Sequence, residues 1–485
     1  MKSIRAAKLL SCVGLVACVA SPLTTHAAPA RAHAGMSPQL AIGPKAQPAG
    51  AAIPGQSLFT CQLGLSSAVC YDPFQMRTAY GVDQLINAGY DGTGHTIVIV
   101  DAFQSPTLAS DVDAFAANYG LPNAAAFLTQ IAPDGLTPFD PNDDNMVGWS
   151  GEITLDVEWA HAIAPGAKVV LVLAKSNGDN DILSAVKYAV DRNLGDVVSM
   201  SFGENESCVG PANIAAYHDV FADATRKSIT LFASSGDQGA AQMTCDGESW
   251  VRAASSPASD PLVSGVGGTE LHAAMYCLAQ LGCNPAANPV RGTYAGEIAW
   301  NEFDSESTGG GYSVLFDAPP YQKSGAKSNA RAVPDVAYNA AIYHGVLAYW
   351  TGNWYLFGGT SAGSPQWAAI TAISNQVNGG RLGYLNSAFY KIRQTKPDYG
   401  PSFNDITTGD NSVIEPDVDG NDVVVTGFAA GDAWDAATGI GSPKSVGLVD
   451  RLIRFTSAAD GVAAIATSKP HDHGKPAVPG SMGPH

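Results

Sequence analysis

Charge is scarce in this 485-residue chain: Asp, Glu, Lys and Arg make up 14% of it, against roughly 25% in an average soluble protein. Basic residues are the scarcest, 26 Lys and Arg against 44 Asp and Glu, for a net charge of −18. A nucleic-acid partner would want a basic face, so that class is disfavoured. The same scarcity keeps positive charge low in acid, where carboxylates become neutral. No apolar run outside the N-terminus is long enough to cross a bilayer, and no transmembrane segment is expected. No Cys-x-x-Cys pair occurs, which argues against a zinc or thioredoxin-like site.

What is present begins with an export signal over residues 1–27. Lys2, Arg5 and Lys8 precede an apolar stretch over 9–20 and small residues around Ala27. The rival reading is Leu15-Val16-Ala17-Cys18 as a lipoprotein box, with the protein anchored through Cys18. Otherwise it is secreted, extracellular or periplasmic. Cleavage would leave Cys61, Cys70, Cys208, Cys245, Cys277 and Cys283, an even set that suggests disulfides. Pairing of sequence neighbours is the simplest connectivity. Residues 28–57, rich in Ala, Pro and Gly, read as a flexible lead-in. Residues 58–458 read as one folded domain, and 459–485, ending in a Pro/Gly/His-rich stretch, as a disordered tail.

Within the folded part, short apolar runs end at Asp101, Leu173, Ser201 and Ser234 and alternate with helix-like segments. That alternation implies an α/β fold with a parallel sheet flanked by crossover helices. Function in such sheets gathers at the carboxyl ends of strands, where Asp101, Ser201 and Asp237 fall.

Gly358-Gly359-Thr360-Ser361-Ala362-Gly363-Ser364-Pro365, followed by an apolar helical stretch, is the strongest local signal. A serine at the start of a helix after tight glycines is exposed, and nearby N–H groups face developing negative charge. A nucleophilic serine needs a base, and His is the usual one. None of the ten histidines sits in an H-G-T-H-type segment; His95, His161 and His344 all lack that context. The candidates are acids instead. In the segment Gly151-Glu152-Ile153-Thr154-Leu155-Asp156, two carboxylates four apart share one face of an otherwise apolar helix. Such a pair is costly to bury, and its members repel, so one pKa rises and a proton can be shared.

The Glu152 helix, Ser234-Ser235-Gly236-Asp237 and the Ser361 segment, in this order, resemble the sedolisins, or serine-carboxyl peptidases. The resemblance implies a subtilisin-like α/β fold in a single large catalytic domain. It implies Ser361 as nucleophile, Glu152 as general base, Asp156 coupled to it and Asp237 as donor to the oxyanion. Asp101 is expected behind them, hydrogen-bonded toward Asp156, and Ser201-Phe202-Gly203 along the substrate cleft. Glu152 must be ionised while Asp237 is protonated, so the optimum is expected at about pH 3–5.

The resemblance also implies one structural calcium ion. Asp405 and Asp435 would give side chains, and Ile406, Gly431 and Ala433 backbone carbonyls. Ala433 stands where the family usually has Gly, which matters if the backbone there needs positive φ. Asp417-Val418-Asp419-Gly420-Asn421-Asp422 lacks the terminal Glu of an EF-hand and reads as a polar turn. Many sedolisins carry a long prosegment; only about 30 residues separate signal and folded region here, too few for a domain with its own core.

The expected activity is secreted acid endopeptidase action on protein or peptide substrates by a monomer. Three alternatives stay open: a tripeptidyl exopeptidase on the same site, a non-catalytic surface binding protein, and a neutral His-dependent hydrolase.

Overall fold

The computed structural model describes residues 35–53, 55–323 and 328–471. The signal segment and Cys18 lie outside the described residues.

Ile97 and Ile99 fall in one hydrophobic cluster, and Val98 and Val100 in another. This is the period-two alternation of a strand with both faces covered. All four are fully buried, each worth about 1.5–3 kcal/mol relative to exposure. Their strand, Thr96–Ala102, lies between Lys168–Ala174 and Val197–Met200, parallel to both. The sheet continues through Thr230–Ser234 and Ser264–Ala273 to Tyr294–Ala299, with Leu128–Ile131 at the far edge. Val336–Asn339 also pairs with Ser264–Ala273 in parallel. The core strands fall where the apolar runs predict, and only Tyr294–Ala299 pairs antiparallel. The expected parallel α/β sheet with flanking helices is the observed architecture.

One face of the sheet carries two helices packed on each other, Asp144–Ile163 and Gly363–Asn378. They hold the acids and the serine, and are called here the acid helix and the serine helix. Every residue of the acid helix from Trp149 to Ile163 is buried, the pattern of a helix enclosed on all sides. Its start is set by Asp143, whose side chain accepts from Asn145 N and Met146 N, a standard N-cap. On the other face, Asp179–Asp191 packs against Pro211–Arg226.

Two boundaries differ from expectation. The lead-in is not flexible from Gly35 onward. Ser37–Pro38 pairs antiparallel with Phe202–Asn205, and Ala41–Lys45 pairs antiparallel with Asn353–Gly358. The small residues that suggested flexibility permit close approach instead: a Cβ on Gly43 would stand 2.7 Å from Ile342 Cγ2 and 2.9 Å from Leu356 O. The tail is likewise not disordered at its start. Ala458–Thr467 is a helix, capped by the Ser457 side chain accepting from Ala459 N, with Ala464 buried. Its apolar residues are mostly alanines, too small to stand out as a hydrophobic stripe.

The six cysteines form the three local pairs: Cys61–Cys70, Cys208–Cys245 and Cys277–Cys283. Asp417 and its neighbours form a hairpin turn, with Asp417 Oδ1 accepting from Asp419 N and Asn421 N.

Candidate active site

Ser361 sits in the short turn Thr360–Ala362, between the strand Asn353–Gly358 and the serine helix. Gly359 makes the turn with φ of 92°, a conformation that favours glycine. The Ser361 hydroxyl donates to Glu152 Oε2 at 2.8 Å and lies 3.2 Å from the Ser201 carbonyl oxygen. Helix-to-helix packing therefore sets the serine–carboxylate contact.

One turn further along the acid helix, Asp156 accepts at Oδ1 from the Ser201 hydroxyl at 2.9 Å. Glu152, Asp156 and Ser361 are all fully buried. Burial, then the charges of Asp156 and Asp101, push the Glu152 carboxyl well above the usual range, partly offset by the Ser361 bond. Burial likewise raises Asp156, against hydrogen bonds from Ser201 and Glu152. Glu152 Oε1 and Asp156 Oδ2 face no N–H or hydroxyl donor. A proton held between the two carboxyls is the donor such a pair has left.

Asp237 follows the strand Thr230–Ser234 through a turn with Gly236 at φ of 119°. Its Oδ1 accepts from Thr360 N at 2.8 Å and from the Thr360 hydroxyl at 2.7 Å. Its Oδ2 is buried without a partner. Burial raises this carboxyl well above its ordinary value, against the two Thr360 bonds. A neutral Asp237 would carry its proton on Oδ2, the oxygen that Thr360 does not occupy.

The matching family model is the subtilase family, over residues 142–394, a stretch that includes the acid helix, Asp237 and Ser361. Kumamolisin of Bacillus sp. strain MN-32 is 33% identical over 408 residues, covering 81% of this chain and 66% of the relative. Sedolisin of Pseudomonas sp. strain 101 is 30% identical, covering 78% and 61%. Tripeptidyl-peptidase 1 of Mus musculus is 28% identical, covering 62% and 52%. A solved structure of Pseudomonas sedolisin, described as a serine-carboxyl proteinase complexed with two molecules of pseudo-iodotyrostatin, matches with TM-score 0.66 and 26% identity. That match covers 81% of this chain and all of the solved one.

The chain belongs to the subtilase family, on its sedolisin branch. It spans about two thirds or less of the length of these three relatives.

Two expectations for a sedolisin-type site need correcting, and a third holds. The hydrogen bond from Asp101 to Asp156 is not formed. Both Asp101 oxygens are buried without a partner, and Ser201 supplies the hydroxyl donor to Asp156. Asp101 acts on the cluster through space; burial and the Asp156 charge push its own carboxyl up. Phe202 does not line the cleft with its ring, which is fully buried and 6.0 Å from Trp149. Strand alternation turns that side chain inward, and the backbone of Phe202 and Gly203 pairs with Pro38 and Ser37. Finally, the rival histidines are engaged elsewhere. His95 Nδ1 is 3.2 Å from Asp196, His161 Nε2 is 2.9 Å from Pro122 O, and His344 Nδ1 is 2.9 Å from Leu271 O.

Two participants escaped sequence reasoning. Thr360 stands inside the serine segment and holds Asp237; its hydroxyl next to Ser361 was the available signal. Gln39 contacts the serine through its backbone alone: Ser361 N donates to Gln39 O at 3.0 Å. Nothing in its composition marked it.

The calcium candidates converge in a loop. Both Asp405 oxygens accept from Ala433 N, at 3.0 and 3.1 Å. Asp435 accepts from Gly431 N, Ala437 N and Thr438 N, and Asp405 and Asp435 both act electrostatically on Tyr399. Two carboxylates with no imidazole or thiolate among these contacts suit a hard cation, so the side chains fit, and the Ala433 carbonyl accepts from the Tyr399 hydroxyl at 3.2 Å. Ala433 adopts φ of 71°, so the position does require the left-handed backbone that glycine takes most easily.

Proposed function

We propose that this chain is an acid-active serine-carboxyl peptidase that hydrolyses protein or peptide substrates through an acyl-enzyme on Ser361. The reading rests above all on the Ser361 hydroxyl donating to Glu152 Oε2 at 2.8 Å, with no imidazole in its hydrogen bonds.

Glu152 takes the Ser361 proton as the oxygen attacks the peptide carbonyl, then returns it to the leaving amine. Asp156 and Asp101 repel a second charge, so the buried cluster carries one negative charge rather than two or three. The hydroxyls of Ser361 and Ser201 donate to the cluster and favour that first ionisation in acid. The oxyanion takes the Ser361 N–H and the proton on Asp237 Oδ2. Asp237 loses that proton as the pH rises, and the donor becomes a repelling charge.

Endopeptidase action is the preferred form, and release of tripeptides the alternative, since one similar protein is named tripeptidyl-peptidase 1. Calcium would be held by Asp405, Asp435 and the carbonyls of Ile406, Gly431 and Ala433, stapling the loop without entering the reaction. Secretion is supported by the three disulfides, which persist in oxidising compartments. A pH–rate profile on denatured protein, with Ser361→Ala and Glu152→Ala as controls, tests the reading. Activity confined to acid and lost in both variants is expected. A maximum above neutrality, or full activity in Glu152→Ala, would sink it.

A further inference from the structure

Away from the serine, two sheets bring a second set of polar side chains together. Glu270 and His272 lie two apart on the strand Ser264–Ala273 of the central sheet, so strand alternation puts both on one face. His344 opens the strand His344–Trp350 of a separate sheet, where it pairs in parallel with Val69. One ligand atom from each of the three lies within 4.8 Å of the others. His272 Nε2 is 3.3 Å and His344 Nε2 is 3.7 Å from the same oxygen, Glu270 Oε1. The two imidazole rings stand at 70° to each other with centroids 4.8 Å apart, so they converge without stacking.

The bonds behind His344 fix what its ring can do. Its Nδ1 is 2.9 Å from Leu271 O, and a carbonyl only accepts, so Nδ1 carries the proton. The Nε2 of the neutral ring is then a bare lone pair facing Glu270 Oε1, at a distance beyond hydrogen-bond reach. A lone pair and a carboxylate oxygen repel until a cation stands between them. The Tyr71 hydroxyl reinforces this arrangement: it donates to Leu271 O at 2.7 Å and accepts from Ala273 N at 3.2 Å. Tyr71 lies on the strand Val69–Tyr71 beside His344, so it ties the strand of one histidine to the strand of the other. Imidazoles that bind metals are commonly held in this way, by a carbonyl on the nitrogen turned away from the ion.

We propose that Glu270, His272 and His344 form a Zn2+ site with three protein ligands and an exchangeable fourth position. Ligands around a tetrahedral ion with bonds of about 2.0–2.1 Å stand about 3.3–3.4 Å apart. The His272 contact already has that spacing, and the His344 contact has to shorten by a few tenths of an ångström. Two imidazoles and one carboxylate suit Zn2+ and not a hard ion such as Ca2+. The two histidines line a cavity of about 590 Å³ with Tyr71 and Tyr276, so the fourth position opens into it and takes water or a small ligand. The site uses no thiolate, which is why cysteine spacing does not report it. Its ligands come from two sheets, so only the folded chain brings them together, and binding clamps one sheet to the other. The proposal does not depend on the peptidase reading.

Calorimetric titration of chelator-washed Ser361→Ala protein, which cannot digest itself, with Zn2+ at about pH 7.5 tests the site, since free imidazole is neutral there. One site is expected, weakened at least about 10-fold in each of His272→Ala, His344→Ala and Glu270→Gln on the same background. The His272 side chain is 45% exposed, so its loss leaves the fold intact, and the melting midpoint of the metal-free variant checks this. Saturating Zn2+ should raise the midpoint of Ser361→Ala and leave that of its His272→Ala form where it was. Excess Ca2+ should not change the titration. No heat together with no shift in midpoint is the result if the three groups are only a cluster of imidazole–carboxylate ion pairs, and it overturns the site. Unchanged affinity in the variants puts the ion elsewhere and overturns it too, as does displacement of Zn2+ by Ca2+.

Discussion

Ser361 and Glu152 are 209 residues apart in the chain, yet the serine hydroxyl meets the carboxylate at 2.8 Å, because their helices pack on one face of the sheet. Glu152→Gln keeps the shape and removes the proposed base. A loss of about 10²–10⁴ in turnover is expected, with no loss of thermal stability, because a buried repelling carboxyl has gone. Activity assays and melting curves on the same preparation check both halves. A variant that stays active shows that another group takes the proton.

Asp237→Asn separates the donor from its titration. The amide oxygen can accept from Thr360 in place of Oδ1, and the amide nitrogen can donate from the place of Oδ2. Unlike a carboxyl, that donor survives at neutral pH. The variant should therefore keep activity to higher pH than the parent, even if its maximum rate is lower. A neutral limb that does not move would detach Asp237 from the oxyanion.

The buried pair of acids was legible because its cost was legible: Glu152 and Asp156 sit among residues that only a buried helix explains. The core strands were legible for the same reason, as apolar runs too short for anything else. Gln39 and Ser201 were harder. Gln39 acts through backbone atoms, which carry no side-chain signature, in a segment whose Ala and Gly content imitates a linker. Ser201 was visible as a strand end, but its hydroxyl bond to Asp156 depends on sheet register, and register is a property of pairing. The helix Ala458–Thr467 was hidden because alanine is apolar without being bulky.

Stability should fall as the pH rises through neutrality. Glu206 is 1% exposed, and burial pushes its carboxyl up to about 7, against bonds from the Ser313 hydroxyl and Val314 N. Its native form holds a proton that the unfolded chain releases near 4.3. That contribution is full below the unfolded value and is lost as the pH climbs through the native one, up to about 3 kcal/mol. Asp237 is raised too and acts in the same direction. The melting temperature of Ser361→Ala, which cannot digest itself, should drop between about pH 4 and pH 8. Glu206→Gln should flatten part of that slope. A midpoint that rises over this range contradicts the assigned directions.

Ala433 links backbone strain to the proposed calcium loop. Its φ of 71° costs an alanine about 1–2 kcal/mol, and its N–H holds both oxygens of Asp405. Glycine removes the strain but gains freedom when unfolded, worth about 0.4–1 kcal/mol the other way. Ala433→Gly should therefore stabilise the metal-free protein by about 0 to 1.6 kcal/mol. Chelation should lower the melting midpoint of the parent and of Ala433→Gly alike. It should leave Asp435→Ala unchanged, because that variant has already lost both a ligand and the acceptor for Gly431, Ala437 and Thr438 N–H groups. If chelation shifts Asp435→Ala as much as the parent, any calcium that stabilises the fold is bound elsewhere.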